Sequence, residues 1–150
     1  MRLATLALCS VVMACSPLWA FADPDPLSAY RWTHRLLVVH VPDTEAGRAT
    51  LEALRASLHD RREDVRARDL LIIPVGDLPR AGDTLPTAVA LGATERLEVR
   101  RRLGLHDRVA QLVLIGKDGG VKARQTQAVF DLAGLLAVID TMPMRRAEMP

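Results

Sequence analysis

Cysteine is almost absent from this chain of 150 residues and is confined to its N-terminal end. The two cysteines are Cys9 and Cys15, and both lie in a segment that we expect to be removed from the mature protein. The remainder would then have no thiol for a disulfide, a thiolate nucleophile or a cysteine-ligated metal. We therefore disfavour thiol–disulfide exchange and peroxidase activity, because the thiolate is the nucleophile in both reactions.

Other catalytic and metal-binding patterns are missing as well. After the N-terminal segment, serine occurs only at Ser28 and Ser57, and neither lies in a Gly-x-Ser-x-Gly elbow. The histidines lack the close spacing of zinc ligands; they are His34, His40, His59 and His106. We predict no metal and no cofactor, and no sequence motif assigns a catalytic residue.

Positive and negative side chains are nearly balanced in number. The chain has 20 Lys and Arg against 18 Asp and Glu, a formal net charge of +2. A dedicated nucleic-acid binder is usually strongly basic, so this balance argues against a nucleic-acid partner.

The N-terminus has the three parts of an export signal. Arg2 is followed by an uncharged apolar run over residues 3–15, and Ala20 and Ala22 occupy the positions that a signal peptidase reads. The run is too short to span a bilayer, which takes roughly 20 residues. We expect a signal peptide over residues 1–22 and a single mature domain over 23–150, without a transmembrane segment, in the periplasm or secreted. A lipoprotein anchored through Cys15 is the alternative.

Three continuous apolar runs of strand length predict a buried sheet. They cover residues 36–41, 70–75 and 111–115, and such runs are typical of strands covered on both faces. The glycine-containing turn at 117–120 then predicts a hairpin to a half-exposed strand at 121–124. In that strand, strict alternation would place Lys122 and Arg124 on one face.

Helices are predicted between these strands. Leucines at helical spacing follow the first strand, Thr94 begins a short helix that ends at Gly104, and an apolar stripe over 132–139 is stopped by Pro143. The segment Gly76–Ala93 is long for one structureless loop, and 88–91 could form a short extra strand within it.

The element order is therefore βαβαββα. Right-handed crossovers then favour an α/β fold of the thioredoxin-like type, with a central four-stranded mixed sheet flanked by helices.

Three segments carry a resemblance to a known family. They are Trp32 before the first strand, the turn from Gly116 to Lys122, and the ending Met142-Pro143-Met144-Arg145. In these the chain resembles domain-of-unknown-function family 4174 over about Leu27 to Glu148. That family consists mostly of small exported bacterial proteins related to thioredoxin-like domains of extracellular sushi-repeat proteins. The resemblance implies a fold and export, and it carries no established activity.

Two determinants of redox chemistry are missing from the expected positions. Thioredoxin-like enzymes place the reactive thiol between the first strand and the first helix, where this chain has Val41-Pro42-Asp43-Thr44-Glu45. They also place a proline just before the third strand, where residues 108–111 contain none.

The same turn holds the candidate site residues. Asp43 or Thr44 is suited to cap the first helix, and together with Pro42 they could instead meet a ligand at the helix end. Outside the turn, Arg124 could lie near the carboxyl end of the sheet and bind a carboxylate with two hydrogen bonds. His40 is either a histidine of the core or a general base oriented by Asp43.

The leading hypothesis is an exported, non-catalytic binding or interaction module, with Pro42, Asp43, Thr44 and Arg124 as binding residues. Its partner would be an envelope or extracellular protein or peptide. The alternative is an enzyme of unknown reaction that uses His40 and Asp43 as acid–base groups. The pair Arg145-Arg146 is explained by the negative end of the last helix dipole.

Overall fold

A computed structural model describes residues 25–76 and 85–149. The predicted signal peptide over 1–22, with both cysteines, lies outside the described residues. So do residues 77–84 of the predicted long segment Gly76–Ala93.

The described strands form one mixed sheet of four strands in the order β2-β1-β3-β4. The central strand β1 pairs parallel with β2 and antiparallel with β3, and β3 pairs antiparallel with β4. The strands are β1 Arg35–His40, β2 Leu70–Pro74, β3 Gln111–Ile115 and β4 Val121–Gln125. In place of an extra strand at 88–91, a single parallel bridge joins Ile72 to Ala88.

Helices cover both faces of this sheet, as the sequence predicts. They are α1 Glu45–Asp60, α2 Arg62–Arg66, α3 Ala93–Leu103, α4 Leu132–Asp140 and α5 Pro143–Glu148, and a short 3-10 turn at Ser28–Tyr30 precedes β1. Helix α3 begins one residue before Thr94, because Glu95 Oε2 accepts a hydrogen bond from Gly92 N at 2.7 Å. It ends at Gly104, which has the expected left-handed φ of +61°.

Alternate residues of β1 point into two apolar layers. Leu37 and Val39 pack in the layer that contains α1 and α4, whereas Leu36 and Val38 pack in the layer that contains α3. All six residues of β1 are buried, because both faces of the sheet are covered. Full burial of one leucine or valine side chain contributes about 1.5–3 kcal/mol to folding, so the central strand is the structural core.

The hairpin corrects one prediction. A bulge interrupts the β3–β4 ladder between Leu114 and Ile115, so that Ala123 pairs with Leu114 but Val121 pairs with Ile115. This extra residue breaks the strict alternation that would have put Lys122 and Arg124 on one face. Lys122 Nζ bonds Asp118 at 2.6 Å, whereas Arg124 Nη1 donates to the Leu103 carbonyl at the end of α3 at 2.8 Å.

A group of charged residues holds the C-terminal helix against the start of β1; we call it the ion cluster. Arg35 is 1% exposed and contacts both carboxylate oxygens of Glu148, at 3.2 and 3.4 Å. Lys117 Nζ donates one hydrogen bond to the same Glu148 carboxylate, at 2.7 Å, and another to Asp69, at 2.8 Å. The members are Arg35, Arg68, Lys117, Arg145, Asp64, Asp69, Asp140 and Glu148.

Arg145 belongs to this cluster, so the dipole at the end of the last helix is not its main partner. Its Nη1 donates to the Ala67 carbonyl at 2.8 Å, and its Nε lies 3.5 Å from Asp140. Arg68 in turn binds both oxygens of Asp140, at 3.0 and 2.7 Å. These bonds connect α5, the end of α4 and the loop before β2.

The cluster lowers the pKa of two carboxyl groups. The hydrogen bond from Arg68 holds the pKa of Asp140 below its ordinary value of 3.8, despite partial burial. The hydrogen bond from Lys117, with that from Arg35, holds the pKa of Glu148 below its ordinary value of 4.5. A lowered folded-state pKa adds stability above the ordinary value and loses it as the pH falls through the folded value.

We predict that Glu148→Gln lowers the free energy of unfolding at pH 7 by about 1–2 kcal/mol, since charge-assisted hydrogen bonds are lost. The variant should also lose less stability than the parent between pH 5 and pH 3. Urea unfolding at both pH values measures this. Glu63→Gln, at a side chain that is 77% exposed, is the control and should change stability by less than about 0.5 kcal/mol. If the parent and Glu148→Gln lost equal stability between pH 5 and pH 3, the lowered pKa of Glu148 would be contradicted.

Candidate functional site

The turn between β1 and α1 forms one wall of a surface groove; we call it the turn groove. Thr44 is the residue that caps α1, since its Oγ1 accepts a hydrogen bond from Gly47 N at 3.0 Å. Thr44 N donates to the Pro42 carbonyl at 2.8 Å, which fixes the turn. Pro42, Thr44 and Gly47 line the groove, which has a volume of about 240 Å³.

The opposite wall comes from two other loops. Residues 108–110 precede β3, and residues 126–128 follow β4. Thr50 of α1 ties the second loop to the helix, because its Oγ1 donates to the Ala128 carbonyl at 2.9 Å. The groove therefore lies at the end of the sheet where β1 finishes and β3 begins.

Two features give this groove its chemical character. Val109 is 39% exposed, although it is a large apolar residue. Arg108 is exposed, and within the described residues it pairs with no carboxylate. An apolar wall beside an available guanidinium suits a ligand that combines an apolar side chain with a carboxylate.

The structure brings together only part of the predicted site. Pro42 and Thr44 line the turn groove, whereas Asp43 accepts hydrogen bonds from Arg48 Nε and Nη2, at 3.1 and 2.6 Å. Arg124 lies on the α3 side of the sheet and bonds Leu103, away from the groove. Arg124 therefore does not line the groove with Pro42 and Thr44, because β4 presents it to the end of a helix.

His40 does not meet Asp43 in an accessible cavity. Its exposure is 0%, and it pairs with Gln111 in the β1–β3 ladder. Asp43 is 47% exposed and bound to Arg48. A general base must reach a substrate proton, directly or through one water. The acid–base hypothesis therefore has no accessible base in this geometry.

Sequence reasoning missed the loops that complete the groove. Residues 108–110 were considered only for a proline, and residues 126–128 carried no signal beyond their place after a strand. The available signal is an apolar residue in a predicted loop, which indicates Val109. Arg108 is its neighbour in the same loop.

Within residues 25–76 and 85–149, no three His, Asp or Glu side chains are grouped as metal ligands would be. No helix in that part of the chain is long and apolar enough to span a membrane.

The strand order and the covered sheet define a thioredoxin-like α/β domain. Solved structures support this class: the reduced 2-Cys peroxiredoxin of Plasmodium vivax is 15% identical, with a TM-score of 0.55, over 81% of this chain and 84% of that chain. The bacterioferritin comigratory protein of Xanthomonas campestris is 13% identical, with a TM-score of 0.50, over 82% of this chain and 85% of that chain. At such identities the similarity shows the fold alone.

The chain belongs to the family described as "Domain of unknown function (DUF4174)", which it matches over residues 26–148. This confirms the resemblance drawn from the sequence. The chain is also 25% identical to Coiled-coil domain-containing protein 80 of Danio rerio over 133 residues, or 82% of this chain. It spans only 15% of the length of that relative.

We predict that Gly47→Ala destabilises the protein and deforms the turn groove. A Cβ at this position would meet the Pro42 carbonyl oxygen well inside van der Waals contact, which should cost about 1–3 kcal/mol. Thermal or urea unfolding measures the change. Gly92→Ala is the matched control, because its Cβ would meet only the Glu95 side chain, and its cost should stay below about 1 kcal/mol. Equal stability of Gly47→Ala and the parent would contradict the proposed turn geometry.

Proposed function

We propose that this protein is an exported, thioredoxin-like binding module without thiol chemistry, and that its turn groove holds an extended peptide segment of an envelope or extracellular protein. The observation that carries the proposal is an accessible groove at the β1–α1 turn with no cysteine among its described lining residues. Thioredoxin-like enzymes place their reactive thiol at this turn, and here Pro42 and Thr44 occupy it.

Export is supported by the sequence of the first 22 residues, with its basic start, apolar run and small residues before Asp23. The family resemblance supports it as well. If cleavage follows Ala22, the mature chain contains no cysteine, and a disulfide exchange or peroxide reduction through a thiolate has no attacking atom.

The composition of the groove indicates the kind of peptide. Val109 offers an apolar contact, and Arg108 offers a guanidinium that can bind a carboxylate with two hydrogen bonds. The loop at 126–128 lines another side of the groove. An extended segment with an apolar residue next to an Asp or Glu fits these groups better than a basic segment.

We predict that the chain beginning at Asp23 selects peptides of this kind from a displayed random library. Val109→Asp should weaken binding of the selected peptide about tenfold or more, since the substitution puts a charge into the apolar contact. Fluorescence anisotropy with a labelled peptide measures the affinities. Leu97→Asp is the matched control, because Leu97 is 62% exposed on α3 and does not line the groove. The peptide affinity of this variant should stay within about twofold of the parent's.

Arg108→Gln should reduce both the affinity and its dependence on salt, because a charged contact at a groove rim is screened by ions. If Val109→Asp and Leu97→Asp are both folded and lose peptide affinity equally, the groove is not the binding site. Steady reduction of a disulfide or of peroxide by the purified cysteine-free chain would contradict the non-redox part of the proposal.

A further inference from the structure

The three segments that carry the family resemblance lie at one end of the molecule, away from the turn groove. Trp32 N donates to the Lys117 carbonyl at 2.7 Å, which joins the segment before β1 to the hairpin turn. The hairpin turn and the Met142-Pro143-Met144 segment line one cleft of about 280 Å³. We call it the hairpin cleft. It lies at the start of β1, roughly 17 Å along the strand from His40.

One wall of the hairpin cleft is cationic. Arg35, Lys117 and Lys122 line it, and Asp118 is the one carboxylate among the described lining residues. Asp118 is already engaged, since it accepts bonds from Lys122 Nζ at 2.6 Å and from Gly120 N at 3.0 Å. The carboxylates that bind Arg35 and Lys117, on Asp69 and Glu148, do not line the cleft.

Hydrogen-bond donors remain available on this wall. An ammonium group has three N–H donors; Lys117 uses two, on Asp69 and Glu148, and Lys122 uses one, on Asp118. Arg35 is 1% exposed, and its buried Nε has no hydrogen-bond partner among the residues that the structure describes. A buried unpaired donor is costly, and a negative charge in the cleft would interact favourably with this guanidinium.

The other wall is apolar. Val138, Met142, Pro143 and Met144 line it, and Met144 is 39% exposed. Methionine is flexible and fills irregular gaps, so this wall can adapt to the shape of an apolar ligand. A strongly hydrated anion such as inorganic phosphate would gain nothing from it.

We propose that the hairpin cleft binds a small organic carboxylate with an apolar body. The carboxylate would accept hydrogen bonds from Lys117 and Lys122 beside Arg35, and the apolar body would lie against Val138, Met142 and Met144. The two carboxylate oxygens match the few available donors, and the cleft is large enough for a chain of about eight carbons. This inference does not depend on the function of the turn groove.

Octanoate and octanamide are the matched probes, since they differ in charge but not in apolar length. Titration of the ¹⁵N-labelled chain, followed by amide chemical shifts, should show octanoate binding at least about tenfold more tightly than octanamide. The shifts should concentrate at Lys117, Gly120, Met142 and Met144. Inorganic phosphate, the third probe, should leave these amides unchanged.

Lys122→Met keeps the apolar part of the side chain and removes the charge. It should weaken octanoate binding at least about fivefold. Lys122→Arg should retain binding. Arg124→Met, which removes a cation from the same strand but from the α3 side, is the control and should leave the affinity unchanged. Both positions are exposed in β4, so none of the three variants should disturb the fold, and circular dichroism can verify this.

Three results would overturn the proposal. One is the absence of any chemical-shift change at about 10 mM octanoate. Another is equal affinity for octanamide, which would make the cationic wall irrelevant. The third is a set of shifts centred on Gly47 and Val109, which would place the ligand in the turn groove.

Discussion

The guanidinium of Arg35 lies at the start of the central strand with almost no contact with water, and Glu148, 113 residues later, supplies its carboxylate partner. A buried charge is tolerated only when it is paired and hydrogen-bonded. This pair therefore requires the C-terminal helix to lie against the sheet. Lys117 shares the same carboxylate, so the hairpin turn is held by the same constraint. The helix α5 and the hairpin in turn form the two walls of the hairpin cleft.

The two ends of the sheet have different chemistry as a result. At the end of β1, Thr44 caps α1 and leaves a shallow groove whose available charge is Arg108. At the start of β1, the ion cluster contains four cations and four carboxylates, and none of these carboxylates lines the hairpin cleft. The first end corresponds to the position of the thiol in thioredoxin-like enzymes. The second end contains the segments by which the family is recognised.

The sequence predicted the fold well because its strands are continuous apolar runs, and both faces of β1 must then be covered. It placed the site less well. Periodicity could not reveal the bulge in the hairpin, which moves Lys122 away from the face of Arg124. The role of Arg145 and Glu148 also escaped it, since the partners of a charged residue at a chain end depend on tertiary contacts. Thr44 could be predicted as a helix cap because a cap has a local signature, whereas Arg108 and Val109 lie in a loop without one.

Hydrogen exchange of Arg35→Met measures the central constraint most directly. If Arg35 holds α5 and the hairpin, then the hydrogen-bonded amides of residues 146–148 and 119–120 should lose protection in this variant, while those of α1 keep theirs. Protection that falls equally across the chain, or that stays unchanged in α5, would contradict the account.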